Sequence, residues 1–224
     1  VIIISIQNFI NAGITNFNTL IIKGFGFSTY KTILLTTPQA AIAMAVSILC
    51  GTIPYFVNNI RSALIFITTG VTMAGIIMIY KIDPKKKVDA SLAAVYLCGF
   101  YNAPYVLCLS LIESNTTGQT KIAFYSVSVG FFYALGNLIG PQFFLGRESP
   151  KYQTGIKAMF AACWIMYGMT ILYAILCYFE NKRRDTSRLA ENELSTDITE
   201  IEMGELADKQ DLTDHENKHF RYTF

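Results

Sequence analysis

The chain has 224 residues, of which 52% are hydrophobic and only 15% charged, well below the roughly 25% charged of an ordinary soluble domain, so its solvent is lipid. The net charge of +2 averages two unlike parts: of 16 Asp and Glu, only Asp83, Asp89, Glu113 and Glu148 precede residue 180, giving a basic body with an acidic tail and no sign of a nucleic-acid partner. The five cysteines stand singly inside apolar runs, a pattern that supports neither a metal site nor a disulfide framework and calls for no cofactor.

A membrane core about 30 Å thick requires about 20 mostly apolar residues of helix, and irregular backbone cannot face lipid. Six stretches meet this requirement, at residues 1–22, 32–56, 62–80, 88–112, 122–145 and 156–179, each bounded by charged or proline-containing punctuation such as Asn58-Asn59-Ile60-Arg61. The expected fold is an all-α membrane protein, a six-helix transmembrane bundle over residues 1–179 with short connections and antiparallel neighbours. Residues 180–224 are expected to form a polar cytoplasmic tail, largely disordered, with a weak capping-box spacing at Asp197-x-x-Glu200. The first residue is Val1, and neither a charged segment nor a cleavage site precedes the first apolar run. That pattern suggests a fragment or truncated gene product and no signal peptide.

Between these boundaries the only Asp, Glu, Lys, Arg or His are Asp89 and Lys157, each at the second position of its span. A proton relay at membrane depth uses such residues, so any coupling group must stand at a span edge or on another part of the protein. Their lack at membrane depth leaves an enzyme without a base or a metal ligand there. In the first span Asn8, Asn11, Thr15 and Asn18 fall within a sector of about 80°. Four such side chains avoid lipid, either as glue between helices at about 0.6 kcal/mol per contact or as the lining of a water-filled cavity. The fourth span is interrupted by Gly99-Phe100-Tyr101-Asn102-Ala103-Pro104-Tyr105, where proline predicts a kink. Tyr101, Asn102 and Tyr105 share a sector of about 100°. They either hold a planar organic anion, as broken transporter helices do, or pack a kink repaired by neighbouring helices. In the fifth span Ser126, Gly130, Tyr133, Asn137 and Gly140 lie on one face, and Gly136-x-x-x-Gly140 predicts a close helix crossing.

Several strings occur in order along the chain: Gly13-Ile14-Thr15-Asn16-Phe17 with Ile22-Lys23-Gly24-Phe25-Gly26-Phe27, Tyr101-Asn102-Ala103-Pro104, and Glu113-Ser114-Asn115-Thr116-Thr117-Gly118-Gln119-Thr120-Lys121. They continue with Gly136-Asn137-Leu138-Ile139-Gly140-Pro141-Gln142, Tyr152-Gln153-Thr154-Gly155, Glu180-Asn181-Lys182-Arg183-Arg184-Asp185 and a terminal D-L-T-D-x-E-N-x-x-F-R-Y. Together they resemble the fungal allantoate permease family, the anion:cation symporter branch of the major facilitator superfamily. Members of that family resemble a twelve-helix design of two six-helix bundles, and the spans here look like helices seven to twelve.

The resemblance implies the carboxy-terminal half of a plasma-membrane secondary transporter for a small organic anion such as allantoate, nicotinate, pantothenate or a similar carboxylate. It also implies proton coupling and alternating access, with the lipid bilayer and a missing amino-terminal six-helix half as partners. Asn11, Asn16, Tyr101, Asn102 and Asn137 would line its cavity, beside Asn8, Asn18, Tyr105 and Tyr133 from the residue patterns. The alternatives are a structural membrane subunit that does not transport, or an inactive truncated fragment. The chain departs from the superfamily's G-x-x-x-D-x-x-x-R loop pattern, having Gly51 but Tyr55 at the acidic position and Asn59 ahead of Arg61. Orientation by resemblance puts nine Lys and Arg on the outer loops and six on the inner ones, opposite to the positive-inside bias. Asn115-Thr116-Thr117 is then a glycosylation acceptor sequence in a cytoplasmic loop.

Overall fold

A computed structural model describes residues 2–23, 27–82, 87–148, 152–192 and 220–224. Most of the segment expected to be disordered, with the capping-box spacing at Asp197, lies outside the described residues. Within them the chain runs through α1 (Ile2–Lys23), α2 (Thr29–Phe56), α3 (Arg61–Lys81), α4 (Val88–Leu97), α5 (Ala103–Ser114), α6 (Gln119–Ile139) and α7 (Gln153–Asn192). A 3-10 segment, Cys98–Asn102, joins α4 to α5, so that these make one broken span. Five helical stretches, Thr29–Phe56, Arg61–Lys81, Val88–Ser114, Gln119–Phe143 and Gln153–Thr186, are long and apolar enough to cross a membrane. With the 22 residues of α1, they give the expected all-α bundle of an integral multi-pass membrane protein.

Capping explains where the helices depart from the apolar runs. Helix α2 begins at Thr29 because Ser28 caps it: the Ser28 hydroxyl accepts from the Lys31 amide at 3.4 Å and its carbonyl from the Thr32 hydroxyl at 2.9 Å, satisfying donors the first turn leaves free. The turn into α3 needs a left-handed residue, supplied by Asn59 at φ 58°, a conformation asparagine tolerates. On the opposite face of the bundle, the Glu148 carboxylate accepts from the Thr154 hydroxyl and, at 2.7 Å, from the Thr154 amide. These two bonds, the hydroxyl's first, hold the Glu148 carboxyl below the usual carboxylate range. A lowered pKa means a contribution present above the ordinary carboxylate range and lost as pH falls through the folded value. Glu148→Gln is therefore expected to speed hydrogen exchange at the Thr154 amide at neutral pH, and to remove the acid-induced loss of protection that the parent shows.

The core sits where α1, α3, α5 and α7 meet. Ile65, Leu107, Cys163 and Met166 are all fully buried there, within one continuous apolar cluster that also takes in Ile4, Ile10 and Met159. Helix α1 lies against α6 and α7, α3 against α4, α5 and α7, and α2 against the 3-10 segment and α5. The α1–α6 crossing is close because α6 presents glycine. A Cβ on Gly136 would stand 2.7 Å from the Asn8 Cβ, and one on Gly140 would stand 2.7 Å from the Ala12 Cβ. Farther along the same stripe the contact stops, since nothing lies within 4 Å of Gly130. The flanks are uneven: the apolar windows of α6 and α2 are only 6% and 17% buried, against 44% for the broken span.

Candidate functional site

The break in the fourth span follows from a missing donor. In a continuous helix the Phe100 carbonyl would accept from the amide of residue 104, but Pro104 has none. The chain tightens instead, and the Ala103 amide donates to Phe100, a 3-10 bond. One residue on, the Tyr101 carbonyl receives a hydrogen bond from the Gln7 side-chain amide of α1. Gln7 is buried at 1% exposure, so a glutamine from a neighbouring helix repairs the backbone at the break. The opening also lets α2 come close, a Cβ on Gly99 lying 3.0 Å from the Gln39 carbonyl.

Around the break, side chains from four parts of the bundle pair with one another. Asn102 Nδ2 donates to Ser47 Oγ of α2 at 3.1 Å. Asn18 Nδ2 of α1 donates to Gln39 Oε1 of α2. The rings of Tyr105 on α5 and Tyr133 on α6 lie 6.3 Å apart at 49°. Tyr133 is 43% exposed, and Asn137 donates to its carbonyl at 3.0 Å. The structure thus engages Asn18, Tyr101, Asn102, Tyr105 and Tyr133 in pairwise contacts that join α1 to α2, α1 to the break, the break to α2 and α5 to α6.

The remaining candidates are placed differently. Asn16 is exposed and donates back to the Ala12 carbonyl at 2.9 Å. Asn11 is half-buried, its carbonyl taken by the Thr15 hydroxyl at 2.8 Å. Asn8 is fully buried against Gly136, and neither atom of its amide has a hydrogen-bond partner. A buried unpaired amide costs about 1–3 kcal/mol, so Asn8 stands at the crossing as an uncompensated polar group. Gln7, Gln39 and Ser47 were not singled out from the sequence. The signal was present for the two glutamines, since a glutamine in an apolar span needs a partner as much as an asparagine does.

The set is chemically neutral. It offers amide and phenol donors, amide and hydroxyl acceptors and two aromatic faces, which suit a planar polar solute. Among the described residues no group of three or more His, Cys, Asp and Glu could hold a metal ion. A separate cavity of about 460 Å³ opens at the end of the bundle where α7 projects, lined by Ile4, Cys108, Asn115, Tyr173, Cys177 and Tyr222 among others.

Comparison with known proteins gives the chain its class. It is 36% identical over 215 residues to an uncharacterised transporter of Schizosaccharomyces pombe, 95% of this chain and 40% of that one. It is 33% identical over 221 residues to the MFS-type transporter cnsL of Penicillium expansum, covering 95% and 42%, and 31% identical over 229 residues to the allantoate permease of Saccharomyces cerevisiae, covering 97% and 40%. The chain is homologous to the carboxy-terminal half of MFS-type transporters. It spans about 40% of the length of these relatives. No family model matches the chain, and no solved structure matches it. The relatives are named transporters, which are not enzymes, and the helices of this bundle are those of a multi-pass membrane protein.

Proposed function

We propose that this bundle is half of a proton-coupled secondary transporter of the allantoate permease family that carries a small organic anion, such as allantoate, nicotinate, pantothenate or a similar carboxylate, across the plasma membrane. The observation that carries the reading is the polar set around the broken fourth span. Asn102, Tyr105 and Tyr133 present donors and aromatic faces to the solute, while Gln7 holds the break open. Asn11, Asn16, Asn18, Tyr101 and Asn137 extend the candidate cavity face along α1, the break and α6, while Asn8, buried against Gly136, packs the crossing behind it. Lipid satisfies no hydrogen bonds, so the exposed Tyr133 on the least buried helix, α6, fits a face closed by a second bundle. That bundle is the amino-terminal six-helix half, against which this one rocks to alternate access. Proton handling falls to the other half, because the carboxylates of these spans, Asp89 and Glu113 among them, stand at span ends and not at membrane depth.

The test is uptake of radiolabelled allantoate, nicotinate and pantothenate by cells expressing the full-length gene, with and without a proton gradient. Uptake that tracks expression supports the reading; uptake no different from cells lacking the gene refutes the substrate class. Asn102→Ala is expected to raise KM about tenfold, the loss of a hydrogen bond of about 1.5 kcal/mol, with surface level unchanged. A scaffold would keep its assembly with no transport to lose.

A further inference from the structure

Residues 220–224 lie across the end of the bundle where α7 projects, and both backbone groups of Tyr222 and of Thr223 are matched. In an extended chain the N–H and C=O of one residue point to the same side and those of the next residue to the other. Here Tyr222 faces Asn181 of α7: its amide donates to Asn181 Oδ1 at 2.9 Å, and Asn181 Nδ2 donates to its carbonyl at 2.7 Å. Thr223 faces Asn115 at the end of α5 in the same reciprocal way, at 2.7 Å in both directions. The segment is threaded between two asparagine amides as a strand is between two neighbours.

Side chains fix the register. The Arg184 guanidinium lies 4.8 Å from the centre of the Tyr222 ring and donates to the Phe220 carbonyl at 3.0 Å; it is 8% exposed and also pairs with Glu180 at 2.9 Å. Arg221 pairs with Asp185 at 2.8 Å. Arg61, at the start of α3, donates to Ser110 Oγ and to Thr223 Oγ1, each at 3.0 Å. With Tyr55 standing where a superfamily member often has an acid, Arg61 is engaged by a serine and by this segment. The Phe224 amide reaches Asn59 at 3.4 Å. Five residues thus tie the start of α3, the end of α5 and the projecting part of α7, and Tyr222 forms part of the wall of the 460 Å³ cavity.

We propose that Asn115, Asn181, Arg184 and Arg61 form a binding site for an extended peptide, that its resident ligand is the chain's own residues 220–224, and that their departure opens the cavity behind Tyr222. The site reads backbone at two consecutive residues and an aromatic ring at Tyr222, so its ligand class is an extended segment with an aromatic residue at that place. The inference does not depend on which solute is carried.

Two buried thiols make it testable in the full-length protein. Cys177 lines the cavity, whereas Cys163 is fully buried elsewhere in the core. Full-length variants with a single cysteine, at position 177 or at 163, are reconstituted in vesicles and their rates of reaction with N-ethylmaleimide compared with and without residues 220–224. Removal of the segment is expected to speed labelling of Cys177 about tenfold or more, the equivalent of one or two ordinary hydrogen bonds, and to leave Cys163 unchanged. The synthetic peptide Phe-Arg-Tyr-Thr-Phe is expected to restore protection, and the same peptide with Tyr replaced by Ala to fail. Unchanged labelling of Cys177, equal acceleration at Cys163, or equal protection by both peptides each overturns the proposal. Asn181→Ala in the intact chain should reproduce the removal in part, and if its Cys177 rate matches the parent's the asparagine pairing has no part in holding the segment.

Discussion

Gly136→Leu is expected to prevent the bundle from assembling. A Cβ at that position would stand 2.7 Å from the Asn8 Cβ and 2.9 Å from the Asn8 backbone carbon, closer than real Cβ contacts come, and one of the opposing atoms is helix backbone that cannot turn aside. Overpacking of a tight site costs about 1–3 kcal/mol where side chains can yield, and a backbone contact puts this substitution at or above the top of that range. The comparison is Gly130→Leu on the same stripe of α6, where nothing lies within 4 Å and the extra side chain enters open space. Yield of monodisperse full-length protein and its melting temperature are the readouts. Equal behaviour of the two variants would show that α1 and α6 do not cross at Gly136.

Gln7→Leu should damage transport more than any change among the exposed polar residues of α1. It deletes the donor to the Tyr101 carbonyl at a place buried to 1% exposure, where lipid and apolar neighbours offer no substitute. An orphaned buried carbonyl costs about 1–3 kcal/mol. The chain can relieve that cost by closing the break toward a regular helix, which carries Asn102 and Tyr105 away from their partners. Uptake by the full-length protein is expected to fall about tenfold or more, with a lower melting temperature. Asn16→Ala makes the contrast: Asn16 is exposed and bonded only to its own helix, and its loss is expected to stay within about 0.5 kcal/mol. Uptake by Gln7→Leu equal to that of the parent would mean that the repair at Tyr101 has no bearing on the site.

What was legible in the sequence was whatever depends on a single element. Apolar length between charged punctuation located the spans to within a few residues, the far end of α7 apart, because the bilayer sets a minimum that loops cannot meet. Pro104 announced the break, since a missing N–H is a property of one residue. Gly136 and Gly140 announced a close crossing, since a missing Cβ is too. Pairings between elements were not legible. Nothing in the first span says that Gln7 rather than Asn8 would serve the break, because that depends on how α1 is rotated against two neighbours. The same holds for Asn115, which the sequence presents as a glycosylation acceptor and the structure buries at 9% exposure with its amide committed to Thr223. The polar run from Glu180 to Asp185 reads as an anchor in water. Its continuation of α7 to Asn192, and its grip on residues 36 to 41 positions away, rest on contacts that no local pattern records.

Helix α7 has 40 residues and is therefore about 60 Å long, roughly twice the thickness of the hydrocarbon core. One end is fastened by the Glu148 cap on Thr154, and the other carries Asn181, Arg184 and Asp185. A rod of that length is a lever across the membrane: Asn181 stands about 40 Å along it from Thr154, so a tilt of about 5° about that end moves Asn181 by about 3.5 Å, more than the length of the hydrogen bonds by which it holds Tyr222. A tilt of α7 and the seating of that segment are then mechanically linked, since the helix that carries Asn181 and Arg184 cannot swing without stretching the bonds to Tyr222 and Phe220.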